Sequence, residues 1–218
     1  MIVTTQKSED EIKKMLQGYE RVFLLGCGEC ATTCKTGGEE ELRLLKQLLE
    51  SCGKKVTGMV VPEAPCIASQ VKIAFARNRA AISNSDAVLV AACGLGVQSA
   101  KENDRLNKDF LPACDTKFIA VVDANGDFKE YCSACSECIL DITGTICPLT
   151  RCSKGLLNGP CGGVDAGKCE VDRDRDCAWV LIYKELEKKG RLDLIKEKQP
   201  AKDYSLLTRP RTLILKKE

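Results

Sequence analysis

Arg21-Val22-Phe23-Leu24-Leu25-Gly26-Cys27-Gly28 is the stretch on which the fold turns. The apolar run before Gly26 is strand-sized and reads as a strand buried on both faces. The glycines end it and leave a cysteine on the turn. The same grammar recurs downstream. Residues 56–61 read as a second strand, leading into Pro62-Glu63-Ala64-Pro65-Cys66. Ala87-Val88-Leu89-Val90-Ala91-Ala92 reads as a third and stops at Cys93-Gly94-Leu95-Gly96. Residues 117–122 read as a fourth. Between these runs the period becomes helical. Residues 39–52 place Leu42, Leu45 and Leu49 on one stripe, with Cys52 next along it and expected in the core. Ser69 is expected to cap a helix carrying Val71, Ala74, Phe75 and Ile82. Before the first strand, Ser8 and Glu11 form a capping-box pattern, with Ile12, Met15 and Leu16 on one helical face.

Strands alternating with helices predict an α/β fold: an open, mainly parallel sheet of flavodoxin or Rossmann type, covered on both faces. Ligands of such sheets bind beyond the carboxyl ends of the strands. Cys27, Cys66 and Cys93 each follow a strand and are expected to share that rim. Periodicity fades at the turn Asp123-Ala124-Asn125-Gly126-Asp127. The expected organisation is an α/β domain over 1–128, an irregular cysteine-rich metal-binding module over 129–180, and a C-terminal helix with a basic tail over 181–218. Trp179, Ile182, Tyr183 and Leu186 mark that helix, and the tail from Lys196 reads as an extended arm or docking segment.

The chain holds 15 cysteines and no histidine among 218 residues. A side-chain metal site must therefore rely on thiolate, which selects iron–sulfur clusters or tetrahedral zinc. Cys27, Cys30 and Cys34 can hold three corners of a [4Fe-4S] cluster. The fourth ligand is expected from Cys93 first and Cys66 second. Eight cysteines follow: Cys132, Cys135, Cys138, Cys147, Cys152, Cys161, Cys169 and Cys177, the arithmetic of two tetrathiolate sites. The C-x2-C-x2-C opening is cluster-like spacing, and Cys147-Pro148 echoes the terminal Cys-Pro of that motif. Several partitions of the eight stay open, including one cluster with spare thiols and one cluster plus zinc. Two or three [4Fe-4S] clusters are expected in all, with zinc an alternative at one site. Cys52 and Cys114 receive no role.

Composition narrows the function class. Lys+Arg 33 against Asp+Glu 31 gives a net charge of +2, and aromatics make up 5%, so neither phosphate binding nor base stacking is signalled. No nucleic acid is expected as partner. The opening Met1-Ile2-Val3-Thr4-Thr5-Gln6-Lys7 has no signal-like apolar run, and no stretch reaches the roughly 18 apolar residues of a membrane span. A cytoplasmic protein with reduced thiols is expected. Gly94-Leu95-Gly96-Val97-Gln98 lacks a complete dinucleotide fingerprint. No catalytic residue is expected: the commonest general acid–base side chain is absent, and no triad is visible.

A family resemblance lies in the long cysteine–glycine run. It extends from Cys138 through Gly144-Thr145-Ile146-Cys147-Pro148-Leu149-Thr150-Arg151-Cys152 to Asn158-Gly159-Pro160-Cys161-Gly162-Gly163, then Gly167-Lys168-Cys169 and Cys177-Ala178-Trp179. This run resembles the methylenetetrahydrofolate reductase C-terminal, cysteine-rich domain family. Cys27-Gly28-Glu29-Cys30-Ala31-Thr32-Thr33-Cys34 and Ala92-Cys93-Gly94-Leu95-Gly96-Val97-Gln98 resemble the amino-terminal half of the same small subunit. The resemblance implies the small iron–sulfur subunit of a two-subunit methylenetetrahydrofolate reductase in one-carbon metabolism. The implied partner is a large, flavin-binding barrel subunit that reduces 5,10-methylene-tetrahydrofolate, with a further protein as electron donor. Alternatives are a structural zinc scaffold of the same reductase, an independent ferredoxin-like carrier, and a corrinoid-associated subunit.

Overall fold

The structure is a computed structural model describing residues 1–215; Lys216, Lys217 and Glu218 of the expected tail lie outside the described residues. The chain divides into two compact units, Met1–Phe118 and Ile119–Glu218.

The first unit opens with strand β1 (Ile2–Gln6) and helix α1 (Glu9–Met15). Ser8 caps α1 in the predicted reciprocal box with Glu11, whose carboxylate accepts the Ser8 N–H at 2.9 Å. Strand β2 (Arg21–Leu25) leads through a single-turn helix α2 (Cys30–Thr33) into α3 (Glu39–Ser51). Strand β3 (Lys55–Val60), helices α4 (Ala68–Arg77) and α5 (Arg79–Ser83), strand β4 (Ala87–Val90), helix α6 (Gly94–Glu102) and strand β5 (Asp109–Pro112) complete the alternation. The four strands β2 to β5 form a parallel sheet in the order β3-β2-β4-β5.

Strand pleating sorts the side chains into two layers. Val22, Leu24 and Leu89 face α1 and α3, where Ile12, Leu16, Leu42, Leu45 and Leu49 close the layer. Phe23, Leu25, Val88 and Val90 face the other way, onto Val71, Ile82 and Ala100. Each fully buried side chain of this size is worth about 1.5–3 kcal/mol. The sheet is thus covered on both faces, as the continuous apolar strands required.

Four local details differ from the sequence reading. The sheet's fourth strand is Asp109–Pro112. The following strand, β6 (Cys114–Ile119), pairs instead with β1 in a separate two-stranded sheet. Proline at 112 has no N–H to continue the ladder, and the chain switches sheets there. Cys114 lies in this strand rather than in a loop, and is buried. Helix α4 starts at Ala68 with Ile67 as its cap, so Ser69 sits inside the first turn. Helix α3 stops at Ser51, which leaves Cys52 exposed beyond the stripe rather than in the core.

The second unit carries little regular structure. A small hairpin joins β7 (Val121–Val122) to β8 (Phe128–Lys129). One turn of helix, α7 (Pro148–Arg151), and the longer α8 (Ala178–Lys188) follow. Trp179, Ile182 and Leu186 of α8 form its only cluster of fully apolar core among the described residues, with Ile146, Leu156, Leu192 and Leu194 packed around it. No helix among the described residues is long and apolar enough to cross a membrane.

Candidate metal centres

The strand order puts a topological switch point between β2 and β4. From β2 the chain moves outward to β3; from β3 it crosses back to β4 on the other side of β2. The crevice of an open parallel sheet lies at that reversal, beyond the carboxyl ends. Cys27 stands two residues past β2 and Cys93 three past β4. Both are buried.

Backbone contacts draw the surrounding loops onto this point. The Cys27 N–H donates to Gly37 O at 2.9 Å, and the Gly28 N–H donates to Pro62 O at 2.8 Å. The Cys27 thiol reaches Glu63 O at 3.9 Å, three residues before Cys66. An added Cβ at Gly37 would collide with the carbonyl oxygen of Ala91, so glycine lets the turn after α2 lie directly on the end of β4. At Gly96 a Cβ would stand 3.1 Å from Pro65 and 3.0 Å from Ala92, so the Cys66 loop also packs on the first turn of α6.

Cys30 and Cys34 are four residues apart across α2, hence on one helical face. They straddle a single residue of β1: the Ile2 N–H donates to Cys30 Sγ at 3.5 Å, and Cys34 Sγ approaches Ile2 O at 3.8 Å. Burial pushes the Cys27 thiol up, the N–H groups of Ala31 and Glu29 pull it back, and the charges of Cys30 and Cys93 raise it further. Burial likewise pushes Cys66 up, followed by the charge of Cys93 and, more weakly, Cys30. Burial pushes the Cys114 thiol up to about 12, and the charges of Asp115, Cys34 and Cys93 add to it. Cys114 is thereby held as a neutral thiol donating to Thr36 O at 3.5 Å.

In the second unit, the loop Cys132–Cys138 holds Ala134 and Ser136 at positive φ, 54° and 70°. Non-glycine residues reach this region only under constraint, and alternation of this kind turns backbone N–H groups to one side. One of them, Ala134 N–H, donates to Cys132 Sγ at 3.4 Å. The tail pins the loop: Arg211 donates to Ala134 O at 3.2 Å and to Ser136 Oγ at 2.7 Å, and the Asp203 N–H donates to the Glu137 carboxylate at 3.0 Å. The segment expected as an extended arm thus folds back on the first cysteine loop of its own unit. Nothing in its polar composition marks that return. Cys147 and Cys152 cap the two ends of α7. The guanidinium of Arg151 stacks 4.7 Å over the Tyr131 ring, which brings α7 beside the start of the loop.

Cys152, Cys161, Cys169 and Cys177 line one small pocket of about 20 Å³. An antiparallel bridge between Lys168 and Asp176 fixes two of them: Cys169 N–H donates to Arg175 O and Cys177 N–H to Gly167 O, each at 2.9 Å. Both cysteines then project from the same face of the bridge. The N–H of Val171 and the hydroxyl of Ser153 lower the Cys169 thiol, favouring thiolate. Among the described residues, no three cysteine or acidic side chains close into a metal-holding arrangement in either unit. What the structure brings together is the loops of Cys27, Cys66 and Cys93 at one rim and four cysteines lining one pocket. Cys30 and Cys34 flank Ile2 of β1, and Cys132, Cys135, Cys138 and Cys147 lie on the first loop of the second unit and at the start of α7. The donor chemistry, all sulfur with no competing histidine, fits soft metal.

Residues 111–205 match a family profile described as "Methylene-tetrahydrofolate reductase C terminal". This region takes in all eight cysteines of the second unit and supports a relation to methylenetetrahydrofolate reductase; Cys27 to Cys93 lie outside it. No curated protein and no solved structure matches the chain.

Proposed function

We propose that this chain is an iron–sulfur electron-transfer subunit serving a flavin-containing methylenetetrahydrofolate reductase partner. The observation that carries the reading is the placement of buried Cys27 and Cys93 beyond β2 and β4 at the switch point of the parallel sheet, with the Cys66 loop packed onto the same rim. The profile match over 111–205 supplies the link to the reductase. Cys27, Cys30 and Cys34 would hold three corners of one [4Fe-4S] cluster, with Cys93 the fourth ligand and Cys66 the reserve. Cys132, Cys135, Cys138 and Cys147 would hold a second, and Cys152, Cys161, Cys169 and Cys177 a third metal.

Such clusters, when bound, supply one-electron transfer. The chain's own residues supply position and potential. The Ile2 N–H on Cys30 and the Ala134 N–H on Cys132 stabilise charge on sulfur. Burial of Cys27 and Cys93 excludes water from one side of the rim. Hydride chemistry on folate stays with the flavin of the partner chain.

A second reading applies to the pocket group alone. Four cysteines lining one small pocket are also the ligand set of a structural zinc ion. Zinc there would staple the second unit while the other groups carry electrons.

Iron, sulfide and zinc quantification on anaerobically purified protein, with EPR after reduction, tests both readings. About eight irons with about one zinc per chain supports two clusters and a zinc staple, and about twelve irons supports three clusters. Zinc without iron or sulfide would sink electron transfer and leave a structural scaffold. Co-purification with a flavoprotein that accepts its electrons tests the partnership.

A further inference from the structure

The first unit carries a second concave site at the opposite end of its sheet from the cysteine rim. It lies among α4, α5 and the connection from α6 to β5, and encloses about 300 Å³. That volume is at the lower end of small-molecule sites. Its floor is apolar and fixed. Ile82 is fully buried, and Phe75 and Leu106 pack against the same core layer. The Phe75 ring leans on Phe110 with centroids 6.0 Å apart.

The walls are cationic. Lys72 comes from α4, Arg79 from α5 and Arg105 from the connection. Among the described residues none of the three has a carboxylate within ion-pair distance. Elsewhere on the chain, Arg21, Arg43, Arg175, Lys13 and Lys189 all do. The one acid in the lining, Asp104, is committed to its own turn: its two oxygens accept the N–H groups of Leu106 at 2.9 Å and Lys108 at 2.7 Å. Three cations lining one concavity favour a multivalent anion over a neutral ligand. A phosphoryl group offers three acceptor oxygens and up to two charges, and guanidinium forks match its geometry.

We propose that this site binds a small phosphate monoester, its phosphoryl head held by Lys72, Arg79 and Arg105 and its apolar body lying on Phe75, Ile82 and Leu106. The site shares no residue with the cysteine groups, so it stands whether or not the electron-transfer reading does.

Calorimetric titration of the full chain, purified anaerobically, at low salt tests it with phenyl phosphate, inorganic phosphate and phenol. Phenyl phosphate is expected to bind saturably, about tenfold or more tighter than inorganic phosphate, because only it covers the apolar floor. Phenol is expected to give no saturable heat. Arg79→Gln and Arg105→Gln are each expected to weaken phenyl phosphate about tenfold or more, with melting temperature and iron content unchanged. Lys72→Gln, on an exposed helix position, gives a third test should either arginine variant lose its fold. Absence of saturable phenyl phosphate binding would overturn the proposal. So would an affinity indifferent to these variants, or inorganic phosphate binding as tightly as the ester.

Discussion

In residues 1–118 two large apolar layers order the chain, with Cys27 and Cys114 packed into them, whereas in the described part of residues 119–218 cysteines pack against one small apolar cluster. The first unit closes two apolar layers on a four-stranded sheet, with Phe23, Leu24, Leu42 and Ile82 essentially inaccessible. The second has Trp179, Ile182 and Leu186, and two cysteines, Cys152 and Cys177, are packed against them. Where burial already orders the chain, thiols are free to serve chemistry at a rim. Where burial is scarce, ligand bonds must replace it.

Metal removal should separate the units most sharply. The chain has one tryptophan, Trp179, and it lies in the second unit. Chelation under anaerobic conditions should shift its fluorescence to the red and abolish its near-ultraviolet dichroism. The helical and strand signal of the first unit should survive. An unchanged Trp179 signal in metal-free protein would contradict a metal-dependent second unit.

Serine substitution at the rim comes next. Cys93→Ser should cost about four irons per chain, while Cys66→Ser should retain them. Equal loss in both variants would make Cys66 a ligand as well. Neither should move the Trp179 emission.

Core truncation should do the reverse of metal removal. Phe23→Ala opens a cavity beneath β2 and should destabilise the first unit by about 3–5 kcal/mol in denaturant melts, with Trp179 unaffected. A common shift of both signals would show that the units unfold together.

The smallest effect is electrostatic. The Arg21 guanidinium and the Arg21 and Glu20 N–H groups hold the Asp86 carboxyl at about 2, below its ordinary 3.8. A depressed carboxyl contributes stability that is present above its unfolded pKa and is lost as pH falls through the folded one. Asp86→Asn should therefore lower the first unit's melting temperature by a few degrees at neutral pH. The gap to the parent protein should close between about pH 4 and pH 2. A gap that persists at pH 2 would assign the loss to packing rather than charge.

Much of the first unit is legible in the chain. The capping box at Ser8, the Leu42-Leu45-Leu49 stripe and the strand ending before Gly26 follow from local periodicity and stand as read, while the strand read to Ala92 ends at Val90. The misreadings are also local. Val121 and Val122 are β-branched, yet they form a hairpin with Phe128 and Lys129 rather than joining the sheet, because Pro112 had already diverted the chain. The β-branched opening Ile2-Val3-Thr4-Thr5 was a strand signal that could have been found. It supplies an amide to Cys30 that no spacing rule describes.

The proposed soft-metal donor set was fixed by composition alone: 15 cysteines and no histidine admit few other donors. So was the parallel α/β character of the first unit, since helical and strand periods are local properties of side chains. Which thiols meet is different. Cys27, Cys66 and Cys93 become neighbours only because the strands order as β3-β2-β4-β5, a non-local pairing that local periodicity does not encode. The tertiary structure also set Cys30 and Cys34 on either side of Ile2, and drew Arg211 back onto Ala134 and Ser136. Ligand type belongs to the residue, whereas ligand grouping belongs to the packing of elements far apart in the chain.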